Sequence, residues 1–198
     1  MRRFCLLLVA LISAIGASAQ SYARDWIDGL NYTLDDHYAL YMKVEAYGEK
    51  MNGYFLVEDD SYYIQLGMME VYCDGKYRYE INNERKEVTE DWVNHDSRDL
   101  LSNPTRAFEF LEEEFTSSIS ETIHNGAILK LVPKQSSDIT AIYVTVVWRD
   151  NRIIPLAIKY DYDGEEVMIA LVMADAQSAV MPRWSRNAYR TYDMVSFL

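Results

Sequence analysis

The sequence predicts a mainly β fold, an antiparallel sheet with helices covering one face, and three observations lead there. Apolar residues recur at every second position in segment after segment between Tyr38 and Met173, the period of strands with one buried face. Clusters of Gly, Asp and Asn separate these segments, as hairpin turns require. Two segments, Ala141–Trp148 and Val167–Met173, are apolar on both faces, so cover is expected on both sides of the sheet there.

Taken in order, the chain begins with Arg2 and Arg3 before an apolar run from Phe4 to Ala17, then Ala17-Ser18-Ala19 before Gln20. A basic start, an apolar stretch and an Ala-x-Ala site are the parts of a secretory signal peptide. The run is shorter than the ~20 residues that span a bilayer. Residues 1–19 are therefore expected to be removed near Ala19, leaving 20–198 as one exported domain. Cys5 leaves with them, so Cys73 remains alone and no intrachain disulfide can form. The full chain has 19 Lys and Arg against 31 Asp and Glu; without Arg2 and Arg3 the formal charge is 17 − 31 = −14. Such acidity argues against nucleic acid and anionic membrane surfaces as partners.

Ser21 to Asp36 carries Trp26, Leu30 and Leu34 at helical spacing with Ile27 beside them, an amphipathic helix in which Gly29 costs about 1 kcal/mol against Ala. From Tyr38 the period becomes two, with Tyr38, Leu40, Met42, Val44 and Ala46 on one face. Met51 to Trp92 then reads as a meander of short strands. Gly53, Glu58 to Ser61 and Gly67 punctuate it, and Cys73-Asp74-Gly75-Lys76 closes a tight hairpin, where both central residues are expected at positive φ.

Asn103-Pro104 supplies a helix cap and a first-turn proline, and Ala107, Phe108, Leu111 and Phe115 mark the inner face of that helix. Glu112, Glu113 and Glu114 read as its solvated side. Strands follow over Ile123–Val132 and Ile139–Trp148. After an Asp150-Asn151 turn come Ile153–Tyr162 and Glu166–Met173 around Asp163-Gly164, and a final strand over Tyr192–Phe197.

Catalytic motifs are missing from this pattern. His37, His95 and His124 lack zinc spacing, no Gly-x-Ser-x-Gly elbow is present, and no glycine-rich phosphate loop occurs. Asp161 to Glu165 fits a turn better than a calcium loop. Cys73, beside Asp74 with no cationic neighbour in sequence, reads as a structural thiol. A non-enzymatic protein without metal or cofactor is expected. The load of 16 Tyr, 4 Trp and 9 Met, including Tyr62, Tyr63, Tyr72, Tyr77, Tyr79 and Tyr143 on strands, fits either an ordinary core or an adaptable ligand lining.

The order helix, long sheet, Asn-Pro helix, long sheet resembles the LolA-like family of periplasmic outer-membrane lipoprotein carriers. The residues that carry it are Gly53-Tyr54-Phe55-Leu56-Val57, the hairpin Val71 to Tyr79, Asn103-Pro104, Trp148-Arg149-Asp150-Asn151-Arg152-Ile153, and Tyr192-Asp193-Met194-Val195. The resemblance implies an unclosed antiparallel β-barrel, a strongly curved sheet whose concave face is covered by helices. It implies a monomeric periplasmic carrier that takes acyl chains of lipoproteins or other lipids from an inner-membrane donor to an outer-membrane acceptor. A basic latch residue follows the strand matching Gly53–Val57 in such carriers; here Glu58-Asp59-Asp60 stand instead. The alternatives are an envelope lipid or lipoprotein sensor on the same fold, and an unrecognised hydrolase.

Strand alternation separates two faces without telling which is concave. It nominates Leu40, Met42, Val44, Leu56, Ile64, Leu66, Tyr79, Val144, Val146, Ile158 and Ile169 as lipid-lining residues, with Phe108 and Leu111 presented by a lid helix. Arg183, Arg186 and Arg190, with Trp184 and Tyr189 between them, are either surface decoration or a docking site for an acidic partner or a lipid head group.

Overall fold

A computed structural model describes residues 22–34, 37–95, 104–106, 111–162 and 164–198. The expected signal segment 1–19, Asn103, Phe108 and Asp163 lie outside the described residues.

Helix α1 spans 22–33. Its buried residues Ala23, Ile27, Leu30 and Leu34 fall three and four apart, one stripe of a 3.6-residue helix. Gly29 has a packing role: a Cβ there would come within 2.3 Å of Ile153 Cδ1, so the missing side chain lets the helix lie directly on the sheet.

Among the described residues, twelve strands make one sheet. They are β1 (His37–Ala46), β2 (Glu49–Glu58), β3 (Ser61–Leu66), β4 (Met69–Asp74), β5 (Tyr77–Asn82), β6 (Glu87–Trp92), β7 (Phe115–Ile123), β8 (Gly126–Pro133), β9 (Ile139–Arg149), β10 (Arg152–Tyr162), β11 (Glu165–Ala174) and β12 (Asp193–Ser196). Their order is β12-β6-β5-β4-β3-β2-β1-β11-β10-β9-β8-β7. All neighbours are antiparallel except β12, which runs parallel beside β6. The two ends, β12 and β7, do not pair with each other. The sheet curls around α1 without closing: Val71 on β4 and Leu129 on β8 belong to the same core as Ile27 and Leu30.

Turn chemistry fixes the register. Tyr47 and Gly48 both take positive φ, as do Asp150 and Asn151, which a two-residue hairpin of matching twist needs. The Asp74-Gly75 hairpin differs from expectation, because only Gly75 has positive φ, 85°. Asp74 stays extended and uses Oδ1 to accept from the Lys76 and Tyr77 amides at 3.0 and 2.8 Å. Between β10 and β11, Gly164 lies in a turn and its N donates to Asp161 Oδ1.

Three expectations are corrected. Phe115 does not continue a helix but opens β7; between Pro104 and Glu114 the described residues form a 3-10 turn at Pro104–Arg106 and a single α turn, α2, at Leu111–Glu114. Strand β7, Phe-Thr-Ser-Ser-Ile-Ser-Glu-Thr-Ile, escaped the hydrophobic pattern because an edge strand with one half-wet face needs few apolar residues. Cover on both faces also fails for β11. Val172 on its outer side is 63% exposed, and Met168 is exposed too, so the apolar run meets solvent there.

Candidate functional site: the inner face of the half-barrel

Cross-strand pairing gathers the apolar alternation into continuous rungs. One runs Val71, Ile64, Phe55, Leu40, Met173 across β4, β3, β2, β1 and β11. Another runs Leu129, Val144, Ile158, Ile169, Val44, Met51 across β8, β9, β10, β11, β1 and β2. Six strands at about 4.8 Å spacing make that second rung roughly 24 Å wide. This face carries the core cluster together with α1, so it is the inner, concave one.

Of the residues nominated from sequence, Leu40, Met42, Val44, Ile64, Leu66, Val144, Val146, Ile158 and Ile169 all share this inner face by register. Leu56 and Tyr79 do not. Leu56 pairs with Ala39 and Tyr63, and Tyr79 pairs with Tyr72 and Glu90, which places both on the outer face. Alternation within each strand was legible, but the phase between β4 and β5 follows from the turn at Gly75, which sets Cys73 opposite Arg78.

Among the described residues, two elements cover the inner face. The first is α1, which buries Ile27, Leu30 and Leu34. At about 2 kcal/mol for each large apolar side chain removed from water, that contact holds roughly 6 kcal/mol. The second is formed by the described residues 104–106 and 111–114. Its 3-10 turn lies against β3, Leu111 is buried in the core, and the buried Tyr38 hydroxyl donates to the Pro104 carbonyl at 2.8 Å. The described part of this cover is also tied at its far end, where the Lys134 amide donates to the Glu114 carbonyl at 2.8 Å. Burial alone pushes the Tyr38 hydroxyl far above its ordinary value, and it stays a donor at any physiological pH. Sequence reasoning placed Tyr38 on the right face but missed this tie, because its partner is 66 residues away.

The β5 end of the face is polar. Arg78 lies opposite Cys73 and donates from Nη2 to Glu80 Oε2 at 2.9 Å. Tyr62 beside them is fully buried, and burial, with Cys73 adding and Arg78 opposing, raises its hydroxyl. Burial likewise raises the Cys73 thiol, with the Gly75 amide opposing, which suits a structural thiol rather than a nucleophile. Among the described residues no group of three or more His, Cys, Asp and Glu is placed to hold a metal ion.

The outer face is crossed by the chain from Asp175 to Tyr192, a strap that leaves β11 and arrives beside β6. Trp184 stacks on Tyr79 at 4.5 Å and on Tyr189 at 5.1 Å. Glu70 ties the strap down: Oε2 accepts from Tyr63, Tyr72 and Tyr189 hydroxyls at 3.0, 2.9 and 3.1 Å, and Oε1 from Asn83 Nδ2 at 2.7 Å. Burial pushes the Glu70 carboxyl up, but the hydrogen bonds from Asn83 and the three tyrosines outweigh it and leave it below the usual range. The nominated arginines all lie here, exposed. Arg186 is spent inside the strap, donating to the Tyr189 and Tyr192 carbonyls, while Arg183 lines a cavity with Trp184.

No protein-family model and no curated protein sequence matches the chain. Solved structures do. An uncharacterized conserved protein from Thermus thermophilus is similar at a TM-score of 0.52 and 10% identity, covering 88% of this chain and 99% of that one; the two share a fold. LprF from Mycobacterium bovis gives 0.48 at 11% identity over 82% and 97% of the chains. A LolA superfamily protein from Nitrosomonas europaea gives 0.37 at 9% identity over 84% and 96%.

Proposed function

We propose that the chain is a non-catalytic carrier that shelters the acyl chains of lipoproteins or other lipids on its inner face. The observation that carries this is the cover itself. Rungs of aliphatic side chains are covered by a helix and, among the described residues, by the 104–106 turn and Leu111, with Tyr38 tied to Pro104. Each methylene taken from water into such a face stabilises a complex by about 0.8 kcal/mol, so an acyl chain can offset the displacement of cover residues such as Leu111. The resemblance to the LolA-like carriers supports the same reading and extends it. The protein works in the periplasm after export, without cofactor, and moves its load from an inner-membrane donor to an outer-membrane acceptor.

The test is mass spectrometry of lipid extracted from gently purified exported protein, paired with uptake of a fluorescent fatty acid. Acyl lipid at near-stoichiometric amount, displaced by the probe, is the expected result. Lipid-free protein that ignores the probe refutes the reading. Depletion that leaves lipoprotein sorting intact while lipid still copurifies would assign the protein to sensing instead of delivery.

A further inference from the structure

A cavity of about 400 Å³ opens between the strap, the β2–β3 turn, the end of β4 and Tyr79 of β5. That volume falls within the ~300–1,000 Å³ range of small-ligand sites. Tyr72, Tyr79 and Trp184 form one wall. Trp184 is stacked flat on Tyr79, 13° from parallel, and Tyr72 lies 6.2 Å from Trp184. Glu58 and Asp74 supply carboxylates, and Arg183 stands at the strap side. Asp74 Oδ1 is committed to the turn amides, which leaves Oδ2 for a ligand and holds the carboxylate in place.

Two carboxylates against one guanidinium leave the cavity one negative charge, in a chain whose formal charge is already −12. Trp184 is stacked on both faces, by Tyr79 and Tyr189, so the rings offer an apolar wall to the alkyl groups of an ammonium ion while the fixed carboxylates compensate its charge. The same outer face already seats one cation against rings. Lys76 Nζ sits 4.8 Å from the Tyr77 ring and 5.5 Å from the Trp92 ring.

We propose that this cavity binds the ammonium group of a small organic cation. The strap builds the site, since Trp184 and Arg183 come from it and the other four residues from the sheet. The ligand stands either free or as the head group of a zwitterionic lipid, and these share the same recognition.

The experiment follows the Trp184 indole resonance of the full folded protein, assigned with Trp184→Phe, during titration with choline chloride and with its neutral isostere 3,3-dimethylbutan-1-ol. Choline should shift that resonance saturably, and the neutral isostere should bind at least about tenfold more weakly, a ratio set by the charge alone. Glu58→Gln with Asp74→Asn, which keeps the turn acceptor, should weaken choline about tenfold or more. Arg183→Ala should keep or tighten it. Equal binding of the isostere, a choline shift confined to Trp92, or loss of choline in Arg183→Ala overturns the proposal. Phosphatidylcholine vesicles that capture the protein and release it to free choline assign the lipid source; choline binding without capture assigns a free amine. Both support the site.

Discussion

Replacing Tyr38 by Phe removes one oxygen and nothing else from the inner face. The ring is fully buried and keeps its packing. What is lost is the 2.8 Å bond to the Pro104 carbonyl, and that carbonyl, itself in a buried residue, keeps its desolvation cost. A buried hydrogen bond of this kind is worth about 1–1.5 kcal/mol net. If the cover at 104–106 must lift before an acyl chain enters, the open population rises by the same free energy, about five- to twelve-fold. Stopped-flow uptake of a fluorescent fatty acid should accelerate by that factor. The melting temperature should fall only a few degrees, as a loss of about 1 kcal/mol implies for a chain of this size. Uptake at the original rate in a variant whose melting temperature has dropped would show that the tie stabilises the fold without gating it.

Three further perturbations probe other parts. Ile169→Glu puts a charge in the middle of the wide rung, between Val44 and Ile158, at a site only partly buried; the fold should persist at a cost of about 1–3 kcal/mol while probe uptake drops at least about tenfold. Undiminished uptake would exclude this face as the binding surface. Glu70→Gln should loosen the strap by about 2 kcal/mol at neutral pH, since hydrogen bonds to a charged group are worth about 1.5–3 kcal/mol each and this one is half-buried. Because folding lowers the Glu70 pKa below its ordinary 4.5, the wild-type advantage is full above that pH and fades as pH falls through the folded value; a difference in thermal stability that stays flat down to pH 3 would contradict the network. Gly126→Ala would set a Cβ 2.2 Å from the Val146 carbonyl oxygen, backbone that cannot step aside, and should cost about 3 kcal/mol in urea unfolding; an unchanged midpoint would mean the β8–β9 approach is looser than described.

What the sequence determined by itself is local. Alternation placed Tyr38, Leu40, Met42 and Val44 on one side of β1, and Tyr47-Gly48 and Asp150-Asn151 sit where hairpins turn, because side-chain direction and turn geometry depend on near neighbours. The α1 stripe was visible for the same reason, although Gly29 read as a weakness until Ile153 was seen against it. Phase between strands, the cover of the inner face and the cavity beside the strap were decided only by the tertiary structure. Leu56 and Tyr79 look like lining residues in their own strands, yet the register with β1 and β4 turns them outward. The Tyr38–Pro104 tie and the Glu70–Tyr189 bond join residues 66 and 119 positions apart. The C-terminal arginines read in sequence as either surface decoration or a docking site; the strap folds Arg186 onto its own carbonyls and sets Arg183 at an aromatic cavity. Pattern at short range carries no information about which distant groups the curl of a sheet brings together.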